Sequence, residues 1–226
     1  MSQLALPFPL NQNFTFAAFV AGPNGELVQR LQRLDEGFAQ LWICGRPDSG
    51  RSHLLHAACH LHATNGRKVA YVPCGGVRPD PEMLEGLNTY DLVALDDVDE
   101  WLGVLTLERA LMGLYEGMMS ARGQLVCVSG LSPNRLCFGL ADLGSRMKSA
   151  EGFEVQELAD ADKALVLANQ ARHRGMDLPD HVLSYWLTRS HRGLSVLLAD
   201  FDRLDQAAMA EQRRVTVPLI KQVLGI

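Results

Sequence analysis

This 226-residue chain has no Cys-x-x-Cys pair, no apolar run of membrane-spanning length, no basic stripe and no internal repeat. Each absence narrows what it can be. Its five cysteines, Cys44, Cys59, Cys74, Cys127 and Cys137, are odd in number, and several lie inside apolar runs. There cysteine behaves as a small hydrophobe, which points to a reducing compartment. The N-terminus lacks a charged segment followed by an apolar one, so a soluble, cytoplasmic and unprocessed protein without membrane contact is expected. Lys and Arg total 21 against 26 Asp and Glu, for a net charge of −5. Arg172-His173-Arg174 and Arg213-Arg214 are isolated basic spots. Little or no direct DNA binding follows from that balance. What is present, 47% apolar and 21% charged residues, suits one globular domain with room for a small second one.

Pro7 and Pro9 keep residues 1–13 out of a helix and make them a leader. Leu27, Val28, Leu31, Leu34 and Phe38 give Glu26–Phe38 helical spacing. Strands are expected at Leu41–Cys44, Lys68–Val72, Leu92–Leu95 and Leu125–Val128, separated by helices up to about Thr64, at Pro79–Leu87 and at Trp101–Ala121. Ser132-Pro133 reads as a further helix start. Alternation of this kind predicts an α/β fold with a parallel sheet flanked by helices, over residues 14–158. From about residue 159 to 226 the pattern becomes helical, with Pro179 and Pro218 starting helices, and a small α-helical lid domain is expected.

Gly45-Arg46-Pro47-Asp48-Ser49-Gly50-Arg51-Ser52 has the spacing of a phosphate-binding P-loop, with arginine in place of lysine. A strand, a glycine turn and a helix N-terminus in that order form a nest of N–H groups that holds a pyrophosphate. Arginine keeps the charge and forks onto two oxygens, but it is bulkier than lysine. Leu92-Val93-Ala94-Leu95-Asp96-Asp97 is an apolar strand ending in paired carboxylates, as in a Walker B segment. In that pairing Ser52 and Asp96 hold Mg²⁺, Arg51 bridges the phosphates, and Asp97 orients an attacking water. Asp97 is shorter than a glutamate, which favours slow hydrolysis. His53, His56 and His60 share a helix face, yet no carboxylate or cysteine completes a zinc site with them; they read as the margin of a packed helix.

Around these motifs the chain resembles the DnaA family of AAA+ P-loop NTPases, and within it the Hda subfamily. The likeness runs from Gln3 to Leu224 through Asn13-Phe14-Thr15-Phe16, Phe19-Val20-Ala21-Gly22-Pro23-Asn24, Gly50-Arg51-Ser52-His53, Tyr71-Val72-Pro73, Leu143-Gly144-Ser145-Arg146 and Val217-Pro218-Leu219-Ile220-Lys221. The P-loop arginine is part of it. The resemblance implies that Phe19 and Val20 lie against the base, and that the nucleotide site runs over Pro47, Asp48, Ser49, Gly50, Arg51, Ser52 and His53. It implies that Arg146 is an arginine finger acting in trans. It also implies that Gln3, Leu4, Leu6, Pro7 and Phe8 dock on the β sliding clamp of the DNA polymerase. A fold-back of this apolar leader on its own domain is the competing reading.

Two positions depart from the family. Leu131 stands where an aspartate is usual, leaving polar sensing of the γ-phosphate to Ser129 or to nothing. Ser195 stands where a sensor arginine is usual; Arg192, one turn away, either takes that role or is a plain solvated residue. Such a site should accept or prefer ADP, with Mg²⁺. The expected protein is a nucleotide-binding adaptor more than an enzyme, with at most weak ATPase activity of its own. It would stimulate ATP hydrolysis by DnaA and so restrain replication initiation. An outward Arg146 also allows self-association. With nothing after the lid for a helix-turn-helix domain, a regulator is expected and not an initiator. An autonomous P-loop ATPase and a helicase-loader-like protein on single-stranded DNA are the rival readings.

Overall fold

The computed structural model describes the chain apart from residues 1–9, 11–12, 34–36, 191–192 and 212. Its described residues divide into two compact units, one of Asn24–Gln156 with the segment ending at Phe19, the other of Val20–Pro23 with Glu157–Ile226. The first is a five-stranded sheet of β1 (Ala39–Cys44), β2 (Val69–Pro73), β3 (Leu92–Asp96), β4 (Gln124–Ser129) and β5 (Glu151–Glu154). All its pairings are parallel, in the order β2-β3-β4-β1-β5. The continuous apolar runs of β1, β3 and β4 are those of strands covered on both faces.

Side chains alternate across the sheet as the strand period requires. Trp42, Val93, Leu95, Leu125 and Cys127 join one core with residues of α3 (Leu105–Ala121) and α4 (Ala141–Lys148). Leu41, Ile43, Leu92, Ala94, Val126 and Val128 join the other with α1 (Gly25–Leu31) and α2 (Arg51–Thr64). Four buried cysteines and the exposed Cys137 are all free. Among the described residues no helix is long and apolar enough to cross a membrane.

The sheet matches expectation with one strand added. β5, Glu-Gly-Phe-Glu, is an exposed edge strand whose polar composition hid it. Several helices differ from expectation. α1 stops at Leu31, and Phe38 packs on Tyr115 in the opposite core (centroids 5.3 Å, 87°). Its apparent helical spacing joined two faces, and Leu34 lies outside the described residues. Pro79–Leu87 is no helix but 3-10 turns at Pro81–Leu84 and Leu87–Thr89, divided at Gly86 with φ +73°. Gly103, at φ +84°, likewise cuts Trp101–Ala121 into a 3-10 turn (Val98–Trp101) and α3. Ser132-Pro133 opens only a 3-10 turn, Pro133–Arg135.

The second unit carries α5 (Asp160–His173), α6 (Asp180–Arg189), α7 (Leu194–Glu211) and α8 (Val217–Leu224). Leu167, Leu183, Trp186, Phe201, Leu204 and Ile220 form its core, with Trp186 stacked on Phe201 at 6.5 Å. Pro179 stands at the N-cap of α6 and Pro218 in the first turn of α8, where a missing N–H costs nothing.

Candidate nucleotide site

β1 delivers the chain into the glycine loop at the carboxyl edge of the sheet, where open α/β folds bind ligands. Gly45 is needed for close approach: a Cβ there would stand 2.9 Å from Ser49 Oγ and 3.2 Å from Val155. The Ser49 N–H donates to the Arg46 carbonyl (3.2 Å), and Asp48 adopts φ +63°. Gly50 caps α2 at φ +94° with the Phe19 ring 3.0 Å from where a Cβ would sit. This sequence of turns leaves the loop N–H groups and the α2 N-terminus to form an anion-binding nest.

β3 ends at Asp96, which is only 4% exposed. Tyr71 Oη donates to Asp96 Oδ2 (2.9 Å), fixing the carboxylate and leaving Oδ1 to point elsewhere. Asp97 follows in the left-handed region at φ +52° and meets Arg51 Nη2 at 3.6 Å. Asp99 accepts the Gly130 N–H at 2.9 Å, tying this turn to the end of β4. Burial, the neighbouring Asp96 and then Asp99 push the Asp97 pKa up, against the opposing pull of Arg51.

Ser49 Oγ, Arg51 Nη1 and Asp96 Oδ1 are buried and have no hydrogen-bond partner among the described residues. An unpaired buried polar group costs about 1–3 kcal/mol, more when charged, so such groups mark a site awaiting a ligand. Here the three are a hydroxyl, a cation and a carboxylate, gathered on the P-loop and Walker B segments. That donor set fits a phosphate chain with a divalent cation: Arg51 and the loop N–H groups suit phosphate oxygens, and Asp96 Oδ1 suits Mg²⁺. Ser52 is half-buried in the first turn of α2, as a hydroxyl ligand requires, while Pro47 and Asp48 are exposed on the loop.

His53 has another occupation besides its place at the α2 N-terminus. Its Nε2 lies 2.9 Å from the Thr15 carbonyl, and its ring stacks on Phe14 (4.7 Å, 12°) and meets Phe19 edge-on (5.2 Å). It thereby fastens the segment 14–19 over α2, with Phe19 against Gly50. His56 lies against Tyr71 at 4.3 Å. No His, Cys, Asp or Glu cluster suited to a metal occurs among the described residues.

The Ser129 hydroxyl is engaged within the fold. The residue is fully buried, its Oγ donating to the Leu131 carbonyl (2.6 Å) and accepting from Trp42 Nε1 (2.7 Å), while Leu131 itself is exposed. Ser195 is half-buried in the first turn of α7; Arg192 and the leader residues Gln3, Leu4, Leu6, Pro7 and Phe8 lie outside the described residues. Val20 belongs to the second unit. Arg146 is exposed in the last turn of α4, its guanidinium 5.8 Å from the centre of the Tyr115 ring.

The supporting contacts of three residues escaped the sequence: Tyr71 on Asp96, Asp99 on Gly130, and Glu108 on Gly103, Gly139 and Leu140. Tyr71 stood there only within the Tyr71-Val72-Pro73 run, and Glu108 only as an acid within an otherwise apolar helix face.

Burial lowers the pKa of His53, His56 and His62 from 6.5, with His60 and His53 adding to the effect on His56 and Arg67 to that on His62. Carbonyl contacts from Thr15 and Leu31 oppose it at His53 and His62. The unfolded chain therefore takes up protons near pH 6.5 where the folded chain does not. Stability from this source is complete above about pH 6.5 and declines as the pH falls below it. Asp97 acts in the opposite sense, lower on the scale. Urea unfolding is expected to show a lower midpoint at about pH 5.5 than at about pH 7.5; equal midpoints would mean that the three rings protonate freely in the native state.

Residues 160–224 match the family model of the Hda lid domain. Domain III of the Thermotoga maritima replication initiation protein DnaA superposes with a TM-score of 0.82 at 19% identity, over 96% of this chain and 98% of that one. AMPPCP-bound DnaA from Aquifex aeolicus gives 0.68 at 21% identity, covering 84% and 64%. A mutant of Thermotoga maritima RuvB gives 0.69 at 13% identity, covering 97% and 71%.

Proposed function

We propose that the chain is an AAA+ protein related to Hda and DnaA, a reading supported by its lid-domain match over residues 160–224 and its DnaA-like fold, and that it is a nucleotide-binding regulator of replication initiation that acts on DnaA. It docks on the sliding clamp through Gln3–Phe8 and presents Arg146 to ATP held by DnaA. The observation that carries this reading is the engagement of Asp97 by Arg51 at 3.6 Å. The carboxylate that would orient water in the chain's own site is held by the P-loop cation, and Ser129 is consumed by Trp42 and Leu131. Such a site suits holding a nucleotide better than cleaving one.

The nucleotide is ADP or ATP, as the AMPPCP-bound DnaA relative suggests. The N–H groups of Asp48–Ser52 and the Arg51 guanidinium bind its phosphates; Asp96, oriented by Tyr71, and Ser52 hold Mg²⁺. Bound Mg²⁺ neutralises phosphate charge. Arg146, exposed on α4, stabilises the charge that develops as water displaces ADP from the γ-phosphorus of the partner's ATP. The Leu131 side chain leaves this chain's own γ-phosphate position without a polar reader, which favours ADP.

The test is hydrolysis of DnaA-bound ATP reconstituted with DNA-loaded clamp. Wild type is expected to accelerate it. Gln3→Ala/Leu4→Ala/Leu6→Ala is expected to abolish clamp binding and reduce stimulation by about 10²-fold, the effective-concentration gain that docking supplies, with nucleotide affinity unchanged. A wild-type protein that leaves the DnaA rate unaltered in the presence of clamp sinks the reading.

A further inference from the structure

We propose that Glu108 is the positioning residue for Arg146, fixing the helix that carries it, an inference that rests on the finger reading above. Glu108 lies in the first turn of α3 and is completely buried. Its Oε1 accepts the N–H groups of Gly103 (2.8 Å) and Gly139 (2.9 Å), and its Oε2 accepts that of Leu140 (2.5 Å). Leu140 is the N-cap of α4. One carboxylate thus pins the chain that enters α3 to the chain that enters α4.

Seven residues further along α3, on the same face, Tyr115 lies under the Arg146 guanidinium. Glu108 holds the start of α4 and Tyr115 supports its last turn. The fit is close at the first point: a Cβ on Gly139 would stand 3.2 Å from Leu105 and 3.4 Å from Glu108 Oε2. Within α4, a Cβ on Gly144 would stand 3.2 Å from the Phe138 ring, so the helix is seated directly on the loop that Glu108 holds. A glutamine at position 108 turns a donor toward N–H groups and must release one of these contacts. A carboxylate accepting three N–H groups has no neutral equivalent of the same shape. Because a finger works only when its charge meets the transferring phosphoryl group, a displacement of about 1 Å costs on the order of 10²-fold in rate.

The test compares wild type, Glu108→Gln, Gly139→Ala and Arg146→Ala in the clamp-loaded DnaA hydrolysis assay, titrating each protein to saturation. For Glu108→Gln the maximal rate is expected to fall by about 10- to 100-fold. Its half-saturating concentration and its own nucleotide affinity should stay within about twofold. Gly139→Ala presses on the same contact from the other side and is expected to show the same split, which keeps the test decisive if Glu108→Gln fails to fold. A loss of nucleotide affinity parallel to the loss of rate assigns Glu108 a general structural role and overturns the proposal. So does a full maximal rate in both variants while Arg146→Ala is inactive, an outcome that leaves the finger reading intact. Full activity in Arg146→Ala, or no stimulation by wild type, removes the finger reading and this inference together.

Discussion

Arg146→Ala is expected to lower stimulated hydrolysis on DnaA by roughly 10³-fold, the lower end of what a trans arginine contributes to phosphoryl transfer. The same variant should bind clamp and nucleotide as wild type does. Its folding stability should change by no more than about 1 kcal/mol, since the side chain is exposed and its main support is the ring of Tyr115. Arg146→Lys separates charge from shape: a point charge on a flexible stem should recover only part of the rate. Single-turnover hydrolysis of preloaded ATP is the appropriate measurement, because it isolates the chemical step from nucleotide exchange. Undiminished stimulation by Arg146→Ala would falsify the assignment.

The second large effect concerns the chain's own nucleotide. Arg51→Ala is expected to weaken ADP binding by roughly 100-fold, equivalent to about 2.7 kcal/mol, the worth of one or two charge-assisted hydrogen bonds to phosphate. Stability without nucleotide should not fall by more than about 1 kcal/mol, because the Arg51–Asp97 pair at 3.6 Å has 45% of the Asp97 side chain exposed and is screened accordingly. Titration calorimetry distinguishes this from a stability effect. Arg51→Lys is informative in its own right. If lysine restores full affinity, the guanidinium fork contributes only its charge, and the substitution in this P-loop carries no geometric meaning.

Both arginines were singled out in the sequence, for different reasons. Arg51 sits in a spacing set by local backbone geometry, with Gly45 and Gly50 at the points where close approach and a left-handed cap demand glycine. Arg146 was singled out only through resemblance, since an arginine near a helix end has no signature of its own. β1 to β4 could be read because burial on both faces demands continuous apolar runs, whereas β5 is an exposed edge and reads as loop. Helix limits failed where a glycine in the left-handed region, Gly86 or Gly103, interrupted an apolar pattern without disturbing its period. The supporting contacts failed more completely. Tyr71 reaches Asp96 across 25 positions, and Glu108 reaches Leu140 across 32. Such pairings follow from the order of strands and the seating of helices, and no local pattern announces them.

The order of the sheet has a consequence for how the protein comes into being. β1, which opens into the P-loop, pairs with β4 and β5 and never with its sequence neighbour β2; Ala39 stands opposite Gln124. During synthesis at the usual 5–20 residues per second, β1 therefore waits about 4–17 s for its first partner. Until then its apolar run has no strand beside it, and it is a segment that chaperones or misfolding would find first. The sheet cannot assemble in the order in which it is made. A nascent chain that ends short of Gln124 carries the phosphate-binding sequence but has not yet built the strand that holds it in place.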